Sequence, residues 1–224
     1  MSQNESQISL VIFDCDGVLV DSEILSQYVL LDTLKQYDIN VDAGYFHDNF
    51  LGRSFGNVLN VIQRDFDIAL GEDFKTDFYQ ALRTSFAENL QATAGIANMI
   101  GTLTVPYCIA TSSPPDRARS SLSTTGLGHL FDQNIFTVHD VTRGKPAPDL
   151  FLYAAKTMGV SAEQCLVIED SQSGIDAAVA ANMDVIRYIG ATHLQHLQSQ
   201  ADSNGVPHLS HWDHFFTRFP QLSA

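Results

Sequence analysis

Asp14 and Asp16 stand one residue apart at the end of the apolar run Val11, Ile12, Phe13, and Gly17 follows them. Two carboxylates at the C-terminal tip of a buried strand suit cation binding combined with proton transfer, and the glycine lets the backbone turn away beyond them. The same letters also read as a polar turn after a core strand, and Asp-Gly is a hairpin signal, so the segment alone leaves both readings open. An EF-hand calcium loop fits worse. Val18 falls on its third acidic position and Leu19 on its required glycine.

Three more polar clusters each sit beside a short apolar run. Val105 to Ala110 leads into Thr111, Ser112 and Ser113, and Cys165 to Ile168 leads into Glu169 and Asp170. Between them Lys145 lies in the stretch Gly144, Lys145, Pro146, Ala147, Pro148, Asp149. An acid pair, a hydroxyl, a lysine and a second acid pair in this order resemble the four motifs of the haloacid dehalogenase-like superfamily, over residues 8 to about 188. The segments at 16–23, 145–149 and 169–175 look like the branch that holds β-phosphoglucomutase and the sugar-phosphate phosphatases.

The elements that must position these residues alternate. Residues 22–37 carry Ile24, Tyr28, Leu31 and Leu34 at helical spacing, with Ser22 as an N-cap, and the pattern stays helical to residue 90. Gly95 reads as its end. Strands at 105–111, 134–138, 165–170 and 184–189 then alternate with helices at 114–125, 148–158 and 174–181, bounded by Pro148, Gly126, Gly159 and Asn182. This pattern predicts an α/β fold: a Rossmann-like parallel sheet with helices on both faces, formed by residues 1–21 and 91–224, with an all-helical insert at 22–90. In such sheets ligands bind beyond the carboxyl ends of the strands, where all four clusters fall.

Composition restricts the partners. A chain of 224 residues, 45% hydrophobic, can bury a full core with room for an insert. With 12 basic against 26 acidic residues and a formal charge of −14, it lacks the basic face that nucleic acid or an anionic membrane requires. A small molecule is the expected partner, and the resemblance implies that it is a small phosphorylated metabolite. The polar first seven residues and the lack of a long apolar run point to the cytoplasm. Cys15, Cys108 and Cys165 lie in or beside the expected strands, which suits buried, reduced thiols. Trp212 with His208, His211 and His214 reads as a solvent-facing terminal helix rather than a metal cluster, because no acidic or cysteine partner stands at useful spacing. Association is expected to be monomeric or weakly homo-oligomeric.

The resemblance assigns roles to residues. It implies that Asp14 is the nucleophile that takes the phosphoryl group as an aspartyl-phosphate. Asp16 protonates the departing oxygen and then deprotonates the water that opens the intermediate. Mg²⁺ would be held by Asp14, the Asp16 backbone carbonyl and Asp170, with Glu169 ligating it or orienting a bound water. Thr111 and the Ser112 N–H would bind phosphate oxygens before a helix start marked by Pro114 and Pro115, where anions are favoured. Lys145 would neutralise phosphate and position Asp14. The insert would act as a cap that excludes water and selects substrate, and Arg53, in Leu51-Gly52-Arg53-Ser54, is its candidate substrate contact.

Three functions follow from these roles. The first is a Mg²⁺-dependent phosphatase acting on a sugar or sugar-acid phosphate such as a hexose phosphate or phosphogluconate. A phosphomutase is the alternative, yet this chain has Ser26 where the mutase carries a histidine four residues past the hydroxyl matched by Ser22. A phospho-accepting signalling module is disfavoured by motif order: receivers put the acid pair first, and here the pair comes last.

Overall fold

A computed structural model describes residues 7–50, 55–131, 133–197 and 205–224. The chain enters through β1 (Leu10–Phe13) and then forms helices α1 (Ser22–Gln36), α2 (Ala43–Asn49), α3 (Phe55–Phe66) and α4 (Glu72–Asn89). After α5 (Ile96–Thr102) come β2 (Tyr107–Thr111), α6 (Pro115–Thr124), α7 (Gly128–Phe131) and β3 (Ile135–Thr137). The sequence continues with α8 (Asp149–Thr157), β4 (Cys165–Glu169), α9 (Gln172–Ala180) and β5 (Asp184–Tyr188), and closes with β6 (His208–Leu209) and α10 (Phe215–Arg218). The chain divides into two compact units, residues 1–21 with 91–224, and residues 22–90.

In the first unit all six strands run parallel in the order β3-β2-β1-β4-β5-β6. Strand β1 is central. Its register sets Phe13 beside Ile109 of β2 and Ile168 of β4, so β2 ends two residues and β4 one residue beyond the tip of β1. Each is nearly continuous in apolar residues, as expected of strands covered on both faces. One face sends Leu10, Ile12, Cys108, Ala110, Cys165 and Val167 against Leu150, Phe151 and Ala154 of α8 and Ala177 and Ala178 of α9. The small alanines of α9 let that helix approach closely. On the other side the aromatic rings of Phe13 and Phe131 meet edge to face at 6.4 Å, and Trp212 stacks on Tyr188 at 4.3 Å.

Trp212 corrects the expectation for the C-terminal segment. It is 1% exposed, its indole N–H donates to Thr93 Oγ1 at 2.9 Å, and its ring lies 6.1 Å from Phe13. A solvent-facing terminal helix is therefore not what forms. His208 extends the sheet as part of β6, while His211 and His214 lie in the turn around the buried indole. Residues 96–102, for which no element is expected from the sequence, form α5, and Gly95 caps its start at φ +91° instead of ending a preceding helix. The three cysteines are free and buried.

The regular elements among the described residues of the second unit are all helices. Phe74, Phe78, Leu82 and Phe86 repeat every fourth residue along α4 and are buried, and α1 lies along this helix with Leu30, Thr33 and Leu34 inward. Phe55 of α3 stacks on Phe78 at 4.9 Å. Tyr28, which the spacing puts on the apolar face of α1, is 62% exposed, because the buried stripe runs through Leu30, Thr33 and Leu34. No described helix is long and apolar enough to cross a membrane.

Candidate active site

The first unit gathers the polar clusters at the carboxyl ends of β1, β2 and β4. Asp14 directly follows β1 and its N–H donates to the Ile168 carbonyl at 2.9 Å, which locks the strand tip to β4. Beyond it the backbone reverses tightly: the Leu19 and Val20 N–H groups donate to the Cys15 carbonyl, and the Gly17 N–H donates to the Val20 carbonyl. Gly17 has φ +74°, and a Cβ there would lie 2.1 Å from Asp170 Oδ2. Glycine is required twice over, for the left-handed backbone and for the close approach of Asp170.

Lys145 lies at the centre of the cluster and is 3% exposed. Its ammonium donates to Asp14 Oδ1 at 2.5 Å, Glu169 Oε1 at 2.7 Å and the Ala110 carbonyl at 2.8 Å, and sits 4.7 Å above the Phe151 ring centroid. Three donors meet three acceptors. Burial favours loss of its proton, yet the charges of Asp14 and Glu169 and the bonds to them outweigh it and hold the ammonium well above the ordinary lysine range. It remains a cation at any physiological pH.

Glu169, at the end of β4, is 1% exposed. Its Oε2 accepts from the Ser171 N–H at 2.8 Å and from the Ser171 hydroxyl at 2.9 Å, at the first turn of α9, where the helix dipole favours an anion. The Ser171 oxygen in turn accepts from the Gly174 N–H at 3.1 Å. A Cβ on Gly174 would come within 1.8 Å of the Glu169 carboxylate, so the absent side chain makes its seat. Asp170 is held through its backbone carbonyl, which accepts from Arg187 Nε at 3.0 Å.

Asp14, Glu169 and Asp170 each offer an oxygen within 4.8 Å of the others. Burial raises the carboxyls of Asp14 and Asp170 well above the usual range, helped by repulsion from Glu169 and opposed by Lys145. Three buried acids around one ammonium leave an excess of negative charge, and the donors are all hard oxygens. Such a set fits a hard divalent cation of the Mg²⁺ type, whose charge would relieve the repulsion.

Asp16 projects toward the end of β2. Ser113 Oγ donates to its Oδ2 at 2.5 Å and Arg117 Nη2 to its Oδ1 at 3.1 Å. Neither partner is a site residue on sequence grounds, although both stand within six residues of Thr111, where α6 begins. Thr111 is buried, and its Oγ1 accepts from the Ser113 N–H at 3.1 Å, while Ser112 is exposed beside it. Cys15, between the acids, is buried. Burial, then Asp16 and Asp14, push its thiol well up, which keeps it protonated and inert. The structure thus brings Asp14, Asp16, Thr111, Lys145, Glu169 and Asp170 together at the carboxyl ends of the central strands. Arg53 lies outside the described residues.

Comparison with known proteins agrees with this geometry. The haloacid dehalogenase-like hydrolase family matches residues 11–188. The 6-phosphogluconate phosphatase of Escherichia coli K12 is 28% identical over 189 residues, covering 84% of this chain and 86% of the relative. Fructose-1-phosphate phosphatase YqaB of the same organism is 31% identical over 179 residues, covering 79% and 94%. Among solved structures, a conserved haloacid dehalogenase-like protein from Agrobacterium tumefaciens superposes with a TM-score of 0.83 at 29% identity, covering 96% of this chain and 98% of that one. With the family matched across both acid pairs, the hydroxyl and the lysine, this chain belongs to the haloacid dehalogenase-like hydrolases.

Proposed function

We propose that this hydrolase is a cytoplasmic, Mg²⁺-dependent phosphatase that cleaves the phosphate ester of a small sugar or sugar-acid phosphate through an aspartyl-phosphate on Asp14. The observation that carries this reading is the seat of Lys145, whose three hydrogen bonds fix Asp14 Oδ1, Glu169 and the end of β2 in a single buried cluster. A nucleophile so held is oriented before substrate arrives. The names of the two Escherichia coli relatives support a phosphorylated-carbohydrate substrate.

In this mechanism a carboxylate oxygen of Asp14 attacks phosphorus and the bond from phosphorus to the sugar oxygen breaks. Asp16 gives its proton to that oxygen. Water then attacks the phosphoryl group on Asp14, Asp16 takes a proton from it, and inorganic phosphate leaves with the Asp14 carboxylate restored. Asp14, the Asp16 backbone carbonyl and Asp170 would hold Mg²⁺, with Glu169 acting on it directly or through water. When bound, the cation offsets repulsion between the carboxylate and the phosphate dianion. Thr111 and Ser112 would meet phosphate oxygens at the start of α6. Residues 22–90 would serve as the cap, with Arg53 as a substrate contact.

Ser26 favours hydrolysis over phosphoryl transfer between positions on a sugar. Its hydroxyl donates to the Ser22 carbonyl at 3.0 Å, a bond within α1. It cannot act as the mutase histidine does. A panel of phosphorylated sugars and sugar acids, assayed for phosphate release with Mg²⁺, tests the proposal. Release that requires Mg²⁺ and vanishes in Asp14→Asn supports it. Release undiminished in that variant, or interconversion of β-glucose 1-phosphate and glucose 6-phosphate outrunning release in ³¹P NMR, overturns it.

A further inference from the structure

His193 stands beside the acid cluster, in the 3-10 segment Thr192–Leu197 that follows β5. Its Nε2 lies 3.1 Å from Asp170 Oδ2, and the two side chains are only 5% and 8% exposed. The opposite wall of the same oxygen is Gly17. A Cβ added there would lie 2.1 Å from Asp170 Oδ2 and 3.0 Å from His193 Cε1, so backbone, carboxylate and imidazole are stacked in contact. The segment itself is anchored. Thr192 donates from its N–H to both oxygens of Asp21, at 3.1 and 3.3 Å, and from its hydroxyl to Asp21 Oδ2.

From these contacts we infer that His193 is a positioning residue for Asp170, and that it sets how well the acid cluster holds a divalent cation. This role for His193 presupposes the Mg²⁺ site proposed above. An aspartate side chain can turn about two bonds, and Arg187 fixes only the backbone of Asp170. The imidazole nitrogen Nε2 holds Oδ2 and Gly17 blocks the space beyond it, which restricts the carboxylate to one orientation in which it would serve as a ligand. A ligand locked this way loses less freedom on binding metal, and groups that hold ligands in this manner commonly change affinity by about 10- to 100-fold. His193 belongs to no motif, and its distance of 23 residues from Asp170 in sequence hides the contact.

The test is isothermal titration of the metal-free full-length protein with MgCl₂, set beside thermal melts in EDTA and initial rates over a Mg²⁺ range. His193→Asn, whose amide is too short to reach Oδ2, is expected to weaken Mg²⁺ binding about tenfold or more. His193→Gln, whose amide nitrogen stands near the position of Nε2, should stay within about threefold of wild type. In His193→Asn the Mg²⁺ concentration for half-maximal rate should rise in parallel with the binding constant, while kcat at saturating Mg²⁺ returns to near the wild-type value. Equal Mg²⁺ affinity in both variants and wild type overturns the inference. So does a loss shared by His193→Gln with a lowered melt in EDTA, which marks a packing role. Wild-type protein that binds no Mg²⁺ at all refutes the metal site instead, a result separable from the other two.

Discussion

Ser113 donates a hydrogen bond from its hydroxyl to Asp16 Oδ2 at 2.5 Å, across 97 residues of chain. The contact couples the tip of β1 to the turn after β2, and Arg117 closes the other side of the carboxylate. In the proposed mechanism Asp16 meets both a leaving oxygen and a water, so it has to be aimed, and misplacement by about 1 Å can cost about a hundredfold in rate. Ser113→Ala is expected to lower kcat about tenfold to a hundredfold while the substrate KM moves much less. Steady-state phosphate release on the best substrate of the panel measures both constants. A fall in kcat of less than about threefold would detach Ser113 from the work of Asp16.

Asp14→Asn is nearly isosteric and removes a charge that burial and two neighbouring acids disfavour. The amide oxygen can still accept from Lys145. Turnover should fall by at least about a thousandfold, since the proposed nucleophile is gone. Metal-free stability should be unchanged or higher, because a penalty of desolvation and like-charge repulsion is lifted. Melts in EDTA test the second half. A large drop in the melting temperature would mean that the Asp14 charge holds Lys145 more than burial opposes it.

The site was largely legible in the sequence because each strand is a short apolar run whose end coincides with a polar cluster. Asp14, Thr111 and Glu169 are the residues at those ends, and the parallel sheet brings them together without further instruction. What escaped has physical reasons. The two residues of β6 are too few to show any period, and they join the sheet through backbone bonds to β5. Trp212 sits among histidines that suggest solvent, whereas its indole N–H finds Thr93 and its ring finds Tyr188. Ile96, Met99 and Ile100 do carry the spacing of α5, but Gly95 masks it by reading as a stop when its left-handed backbone makes a start. Ser113, Arg117 and His193 act on site residues far away in sequence, and nothing local announces such a contact.

The raised carboxyls give a pH dependence with a definite sign. Asp14 and Asp170 titrate higher in the folded protein than unfolded, so between the ordinary and the raised values the folded form binds more protons. Their contribution to metal-free stability therefore declines as pH rises through that interval. Divalent cation requires the ionised forms and competes with those protons. Melting temperatures measured in EDTA and in excess Mg²⁺ should differ more at about pH 8 than at about pH 5. A difference that stays constant or shrinks toward alkaline pH would contradict the raised values.

Gly174 and Gly101 form a pair of helical glycines with opposite expected outcomes. Alanine normally gains up to about 1 kcal/mol over glycine in a helix by restricting the unfolded chain. At Gly101 a Cβ would meet nothing within 4 Å, so Gly101→Ala should be neutral or slightly stabilising. At Gly174 the added carbon would fall 1.8 Å from both Cδ and Oε1 of Glu169. The glutamate cannot retreat, because its oxygens are tied to Lys145 and Ser171 and burial surrounds it. Either α9 shifts off the sheet or Glu169 loses its partners with its charge still buried. Gly174→Ala is therefore expected to cost about 3 kcal/mol or more in chemical denaturation and to abolish phosphate release. A stable, active Gly174→Ala protein would show that the Glu169 seat can move, and would remove it from the machinery that fixes Lys145.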